Sequence, residues 1–93
     1  TTMNYIKESK EDYVSNRKKF LDMIEGKQPP YKISFTFHRS TRRKFDYINP
    51  AQTVQDLMVK YQWIEDDNCE FIRPFFDEYT YDKENPGVTI KIL

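Results

Sequence analysis

The nine residues Tyr31–Arg39 alternate without a break. Ile33, Phe35 and Phe37 fall on one side, and Lys32, Ser34, Thr36 and His38 fall on the other. Successive side chains of a strand point to opposite faces, so this pattern describes a strand buried on one face only. The chain must therefore build a sheet and supply something apolar to cover one side of it. The remaining sequence offers two helices for that purpose. Ser9 followed by Glu11 and Asp12 fits an N-cap with acids in the first turn, where they meet the positive end of the helix dipole. Tyr13, Val14, Arg17, Phe20, Leu21 and Ile24 then recur at helical spacing until Gly26 supplies a stop. Asn49-Pro50 predicts a second helix start, with Asn49 capping and Pro50 at the first helical position. Ala51, Val54, Leu57, Met58 and Tyr61 form its apolar stripe, and Trp63-Ile64 close the element.

Beyond that helix, Glu70 to Tyr81 reads as an irregular strand, which Pro74 confines to an edge or a bulge. Asn85-Pro86-Gly87 marks a turn, and Val88, Ile90 and Ile92 alternate in a final strand. The expected order is helix, strand, helix, strand, strand. This is an α+β fold with a small mixed or antiparallel sheet backed by two helices. At 93 residues the chain is expected to be a single domain over 1–93. Seven Phe, seven Tyr and one Trp give it enough apolar area for a core.

Fifteen basic and fifteen acidic residues cancel, so bulk charge selects no partner, but the charges are segregated. Lys27, Lys32, Arg39, Arg42, Arg43 and Lys44 follow one another with no acid between them, whereas Glu65 to Glu84 is dominated by carboxylates. Cys69 is alone, which excludes an internal disulfide and a cysteine zinc site. No apolar run approaches the roughly 18 residues that span a bilayer, so no membrane association and a cytoplasmic location are expected. Thr1-Thr2-Met3 is an unusual opening, and either a trimmed N-terminus or initiation at Met3 is expected.

The stretch from Arg39 to Asp67 concentrates the chemistry. Arg42, Arg43 and Lys44, extended by Arg39 and Lys32, form a run suited to phosphate contacts, or else a solvated loop between strand and helix. Asp46, Asp66 and Asp67 flank the second helix, and hard cations such as Mg²⁺ take carboxylate ligands of this kind. A helix of roughly ten residues is about 15 Å long, so these acids meet only if the segment after the helix runs back alongside it. Gln52 and Asp56 are four apart and share a face. His38 reads as a surface residue within reach of phosphate. Phe71, Phe75, Phe76, Tyr79 and Tyr81 suit base stacking, core packing or a subunit interface.

Taken together these residues resemble the RusA family of Holliday-junction resolvases. That family has a basic stretch, then Asp-x-Asp-Asn-x-x-Lys opening a helix, an Asp inside the helix and an Asp pair about ten residues on. Arg42-Arg43-Lys44, Asp46, Asn49, Asp56-Leu57 and Trp63 through Asp67 match it in register. Residues 9–24 and Pro86 to Ile92 are similar to its first helix and last strand. Two positions depart: Ile48 stands for the second Asp and Gln52 for the Lys. The family's opening strand is expected to be missing or trimmed.

The resemblance implies a homodimer that binds branched DNA in recombination and repair, with Mg²⁺-dependent endonuclease chemistry. It places Asp46, Asp66 and Asp67 as metal ligands and catalytic residues, and Arg39, Arg42, Arg43 and Lys44 on the DNA. It places Asn49, Gln52 and Asp56 around the metal ligands. Ile48 favours an alternative, a degenerate relative that acts as a DNA-binding or protein-interaction module without chemistry.

Overall fold

The computed structural model describes residues 2–93. Its element order is β1 (Thr2–Ile6), α1 (Lys10–Met23), β2 (Tyr31–Arg39), α2 (Ile48–Lys60), β3 (Ile72–Phe76), β4 (Thr80–Tyr81) and β5 (Gly87–Ile92). The five strands form one mixed sheet in the order β1-β5-β2-β3, with β4 continuing the β3 side of β2. β5 runs antiparallel to both β1 and β2, whereas β3 and β4 run parallel to β2. The expected α+β class, the mixed sheet and the two backing helices are all present.

The alternation of β2 has the predicted result. Ile33 and Phe35 are fully buried and Phe37 nearly so. Against them pack Tyr13, Phe20 and Met23 of α1, Ala51, Val54 and Met58 of α2, and Met3, Ile6, Val88, Ile90 and Ile92 of the flanking strands. Both helices thus cover one face of the sheet, and among the described residues no helix crosses the other. Trp63 anchors the junction of the helices. Its ring lies 5.0 Å from those of both Tyr13 and Phe20, and its indole N–H donates to the Tyr13 carbonyl at 2.8 Å. The same enclosure pushes the Tyr13 phenol well above its ordinary pKa, chiefly by burial and secondarily through Glu8 and Asp12.

Ser9 caps α1 as expected, accepting from the Asp12 amide at 3.2 Å. The helix ends at Met23, and Gly26 provides the left-handed turn after it at φ +80°. Val14, expected in the stripe, is 54% exposed, and Met23 fills the core in its place.

Three expectations need correction. A strand, β1, precedes the first helix, so the expected order of helix, strand, helix, strand, strand lacked its first element. Its signal is obscured because a register shift lies between Met3 and Ile6, where Tyr5 adopts φ +56°, so the two inward residues are three apart instead of two. The second helix begins at Ile48, not after an Asn49 cap. Tyr47 occupies the cap with helical dihedrals and no side-chain cap bond. Pro50 is then the third helical residue, still among the first four, whose N–H groups have no intrahelical partner, so its missing donor costs nothing there. The single irregular strand over 70–81 is two strands separated by Asp77–Tyr79. Pro74 does lie on an edge strand, as predicted.

Candidate nucleic-acid interface

β2 ends at Arg39, and the basic run leaves the sheet there as a loop that returns at Ile48. Aromatic faces, rather than carboxylates, hold this loop in place. The Arg39 guanidinium carbon sits 3.9 Å from the Phe45 ring centroid, and that of Arg42 sits 4.2 Å from Tyr81. Phe45 packs on Tyr47 at 4.9 Å and edge-on to Tyr79 at 5.1 Å. Tyr47 lies over Phe76 at 5.9 Å, and its hydroxyl accepts from the Tyr79 amide at 3.1 Å. β4 supports the base of the loop, since the Asp82 amide donates to the Arg39 carbonyl at 2.8 Å. At the tip, the Thr41 hydroxyl accepts from the Arg43 amide at 3.1 Å. The aromatic group between 71 and 81 therefore divides its duties: Phe76 and Tyr79 buttress the loop, while Tyr81 carries Arg42.

The electrostatic consequence is direct. Among the described residues the only ion pair is Lys18–Asp22, at 3.2 Å on α1. Arg42, Arg43 and Lys44 are exposed, and no carboxylate lies within salt-bridge distance of them. They share an open concavity with Asp46, Tyr47, Asn49 and Tyr79. Arg39 is different, because its Nε is buried and has no hydrogen-bond partner among the described residues. Beside it a cleft of about 450 Å³ separates the β1–α1 turn from the end of β2 and from Pro50, Thr53 and Val54 of α2.

The acids behave as follows. One contact brings the turn after α2 back to the helix: Gln52 Nε2, which donates to Asp56 Oδ1 within α2 at 2.8 Å, also reaches Asp67 Oδ2 at 3.4 Å. Asp66 faces its own turn, accepting from the Asp67 amide at 2.7 Å and from the Asn68 side chain at 3.1 Å. Asp46 faces the basic concavity, and its carbonyl accepts from the Asn49 amide at 3.2 Å. Three different sets of partners thus engage Asp46, Asp66 and Asp67. Among the described residues no three His, Cys, Asp or Glu side chains form a group able to hold a metal ion. As the side chains stand, they do not fit a resident Mg²⁺. Ile48, at the position of the second family Asp, is 67% exposed. Asn49 is exposed within the first turn of α2, and its carbonyl accepts from the Thr53 hydroxyl at 3.3 Å.

Sequence reasoning passed over the open sheet face. His38 is not simply a surface residue: its Nε2 lies 2.6 Å from the Thr89 hydroxyl and its Nδ1 meets the Thr80 hydroxyl. The Thr89 hydroxyl also donates to Asn4 Oδ1 at 3.4 Å, which leaves its oxygen open to accept from a His38 Nε2–H. Tyr5 stacks on the ring at 4.4 Å. Burial holds the His38 pKa below its ordinary value, and the smaller pull of Asp82 opposes this. The signal for these contacts lay in the polar half of the β2 alternation, but their partners come from strands far away in sequence.

Among the described residues no helix is long and apolar enough to cross a membrane. No protein-family model, curated protein or solved structure matches the chain.

Proposed function

We propose that this chain binds branched DNA through the loop Arg39–Lys44, using Arg42, Arg43 and Lys44 on backbone phosphates. The observation that carries this reading is that aromatic rings position the loop, so its exposed cations keep their charge uncompensated. Phosphate contacts of this kind give affinity that falls steeply with salt and is insensitive to sequence. The four-way junction as ligand, and a homodimer presenting two such loops to it, come from the RusA resemblance. The test is binding of a four-way junction and of linear duplex at two salt concentrations. Replacing Arg42 and Arg43 together by Ala should weaken junction binding and lower the salt slope by about 1.8, at roughly 0.9 per lost phosphate contact. An unchanged slope refutes the assignment.

A second reading, Mg²⁺-dependent cleavage of the junction, is favoured by one contact, Gln52 to Asp67, which brings the post-helix turn against α2. In that reading Asp46, Asp66 and Asp67 would hold the ion only after leaving the partners they have here, and the ion would supply water activation and charge neutralisation at the phosphate. Calorimetric titration with Mg²⁺ and Mn²⁺ separates the two. Absence of binding at millimolar metal leaves the binding module without chemistry.

A further inference from the structure

The sheet face opposite the helices carries its own pattern. Inward residues of β2 pair with inward residues of its neighbours, so the outward register can be read across the strands. Lys32 lies beside Arg73, and Ser34 lies between Lys91 and Phe75. Thr36 is paired with Thr89, and His38 with Gly87 and Thr80. Lys32, Arg73 and Lys91 thus cluster at one end of the open face. All three are exposed, and none has a carboxylate within salt-bridge distance among the described residues.

Two aromatic rings stand on the same face. Phe75 is 37% exposed, with the Arg73 guanidinium carbon 5.4 Å from its centroid. Tyr5 is 43% exposed and stacked on His38. Its placement depends on the irregularity in β1, because at φ +56° the backbone turns Tyr5 toward His38 on the outward side. A bulky residue in the left-handed region is uncommon and carries strain. Four residues of β2 separate the row of Ser34 and Phe75 from that of His38 and Tyr5, about 13 Å at ~3.3 Å per residue. A carboxylate, Asp77, interrupts the face, and Asp82 acts on His38 at its far end. Asp77 accepts from the Ser34 hydroxyl at 2.9 Å and the Thr36 hydroxyl at 3.1 Å, so it is held between the two rings.

Exposed rings separated by a polar strip, with unpaired cations at one end, match the needs of an unpaired nucleic-acid strand. Bases stack on the rings and phosphates meet the cations. We infer that the open sheet face, through Tyr5, Phe75, Lys32, Arg73 and Lys91, binds single-stranded DNA. The choice of DNA over RNA rests on the DNA reading of the loop Arg39–Lys44; the surface itself does not.

The experiment is fluorescence anisotropy with a labelled twelve-residue oligothymidylate, its ribo-counterpart and a duplex of equal length, with circular dichroism confirming the fold of each variant. Tighter binding of the single-stranded deoxy-oligomer than of the other two supports the inference. Tyr5→Ala and Phe75→Ala should each weaken it by roughly 5- to 160-fold, the range for loss of one stacked base. Lys32→Ala with Lys91→Ala should lower the salt slope by about 1.4, at roughly 0.7 per contact on a single strand. Asp77→Asn should tighten binding by removing an opposing charge held between the two rings. Arg42→Ala with Arg43→Ala should leave oligothymidylate binding within about twofold even if it abolishes junction binding, so the two surfaces fail separately. Equal affinity for duplex, tighter binding of the ribo-oligomer, or indifference to both Tyr5→Ala and Phe75→Ala in folded protein overturns the inference.

Discussion

Gly87→Ala gives a sharp test of how β1 is held to the sheet. A Cβ at residue 87 would lie 2.9 Å from the Ile6 carbonyl oxygen and 3.2 Å from the Tyr5 carbonyl carbon. Both atoms are backbone, so no side-chain rotation relieves the contact, and β1 and β5 must part by several tenths of an ångström. Overpacking of this kind typically costs about 1–3 kcal/mol. If the strands part fully, Met3 and Ile6 lose their burial, at about 1.5–3 kcal/mol each, which sets a ceiling near ~6 kcal/mol. For a domain of this size each kcal/mol corresponds to roughly 4–8 °C in Tm. The variant should therefore melt at least ~4 °C below the parent in calorimetry. Gly26→Ala is the control, because its Cβ would meet nothing within 4 Å while the backbone sits at φ +80°. It should lose about 1–2 kcal/mol from conformation alone. The two costs then differ in character: proteolysis near the N-terminus should accelerate only in Gly87→Ala. A Gly87→Ala protein melting within 2 °C of the parent would refute the close approach of β1 to β5.

Trp63→Phe removes the hydrogen bond to the Tyr13 carbonyl and leaves space between α1 and α2, so urea unfolding should show a loss of about 2 kcal/mol. Ser9→Ala removes the only side-chain cap of α1 and should cost about 1 kcal/mol by the same measurement; no change would mean the cap bond is not formed in solution. His38, held below the ordinary pKa of 6.5 when folded, binds fewer protons than the unfolded chain between its folded and unfolded values. Its contribution is therefore present above about pH 6.5 and lost as pH falls through the folded value. Stability curves of the parent and of His38→Gln should diverge from pH 7.5 to pH 5, and parallel curves would show that the ring does not titrate with folding.

Where one element obeyed one period, its structure could be read directly from the sequence. β2 has the bounds its alternation predicts, and Ser9 and Gly26 bracket α1 because cap and stop chemistry is local. β1 was missed because its two inward residues straddle an irregular Tyr5, and no period-2 signal survives a bulge. The start of α2 was misplaced because Asn49-Pro50 is a strong local signal. Tyr47, held by Phe37, Phe76 and the Tyr79 amide, adopts helical dihedrals two residues earlier. The basic loop was legible as a run of charges. Its aromatic support was not, since Tyr81 reaches Arg42 through the parallel pairing of β4 with β2, and Tyr79 packs on Phe45 from the same distant segment. The positions of the acids were likewise outside the reach of spacing, which could state the condition for Asp67 to approach α2 but not whether it was met.

The placement of β5 bears on how the chain reaches this fold. The last strand lies between the first and the second, so β1 and β2 never touch and each finds its antiparallel partner only near residue 90. Until those residues are available, the helices have no complete sheet to pack on, and the earlier segments can collapse but not set their register. The ends of the described chain must therefore meet before the sheet is complete, a closure of nearly ninety residues between Thr2 and Lys91. Such non-local pairing slows folding far more than it costs stability. Release of β5 from its neighbours would undo both halves of the sheet together, which makes cooperative, all-or-none unfolding the expectation.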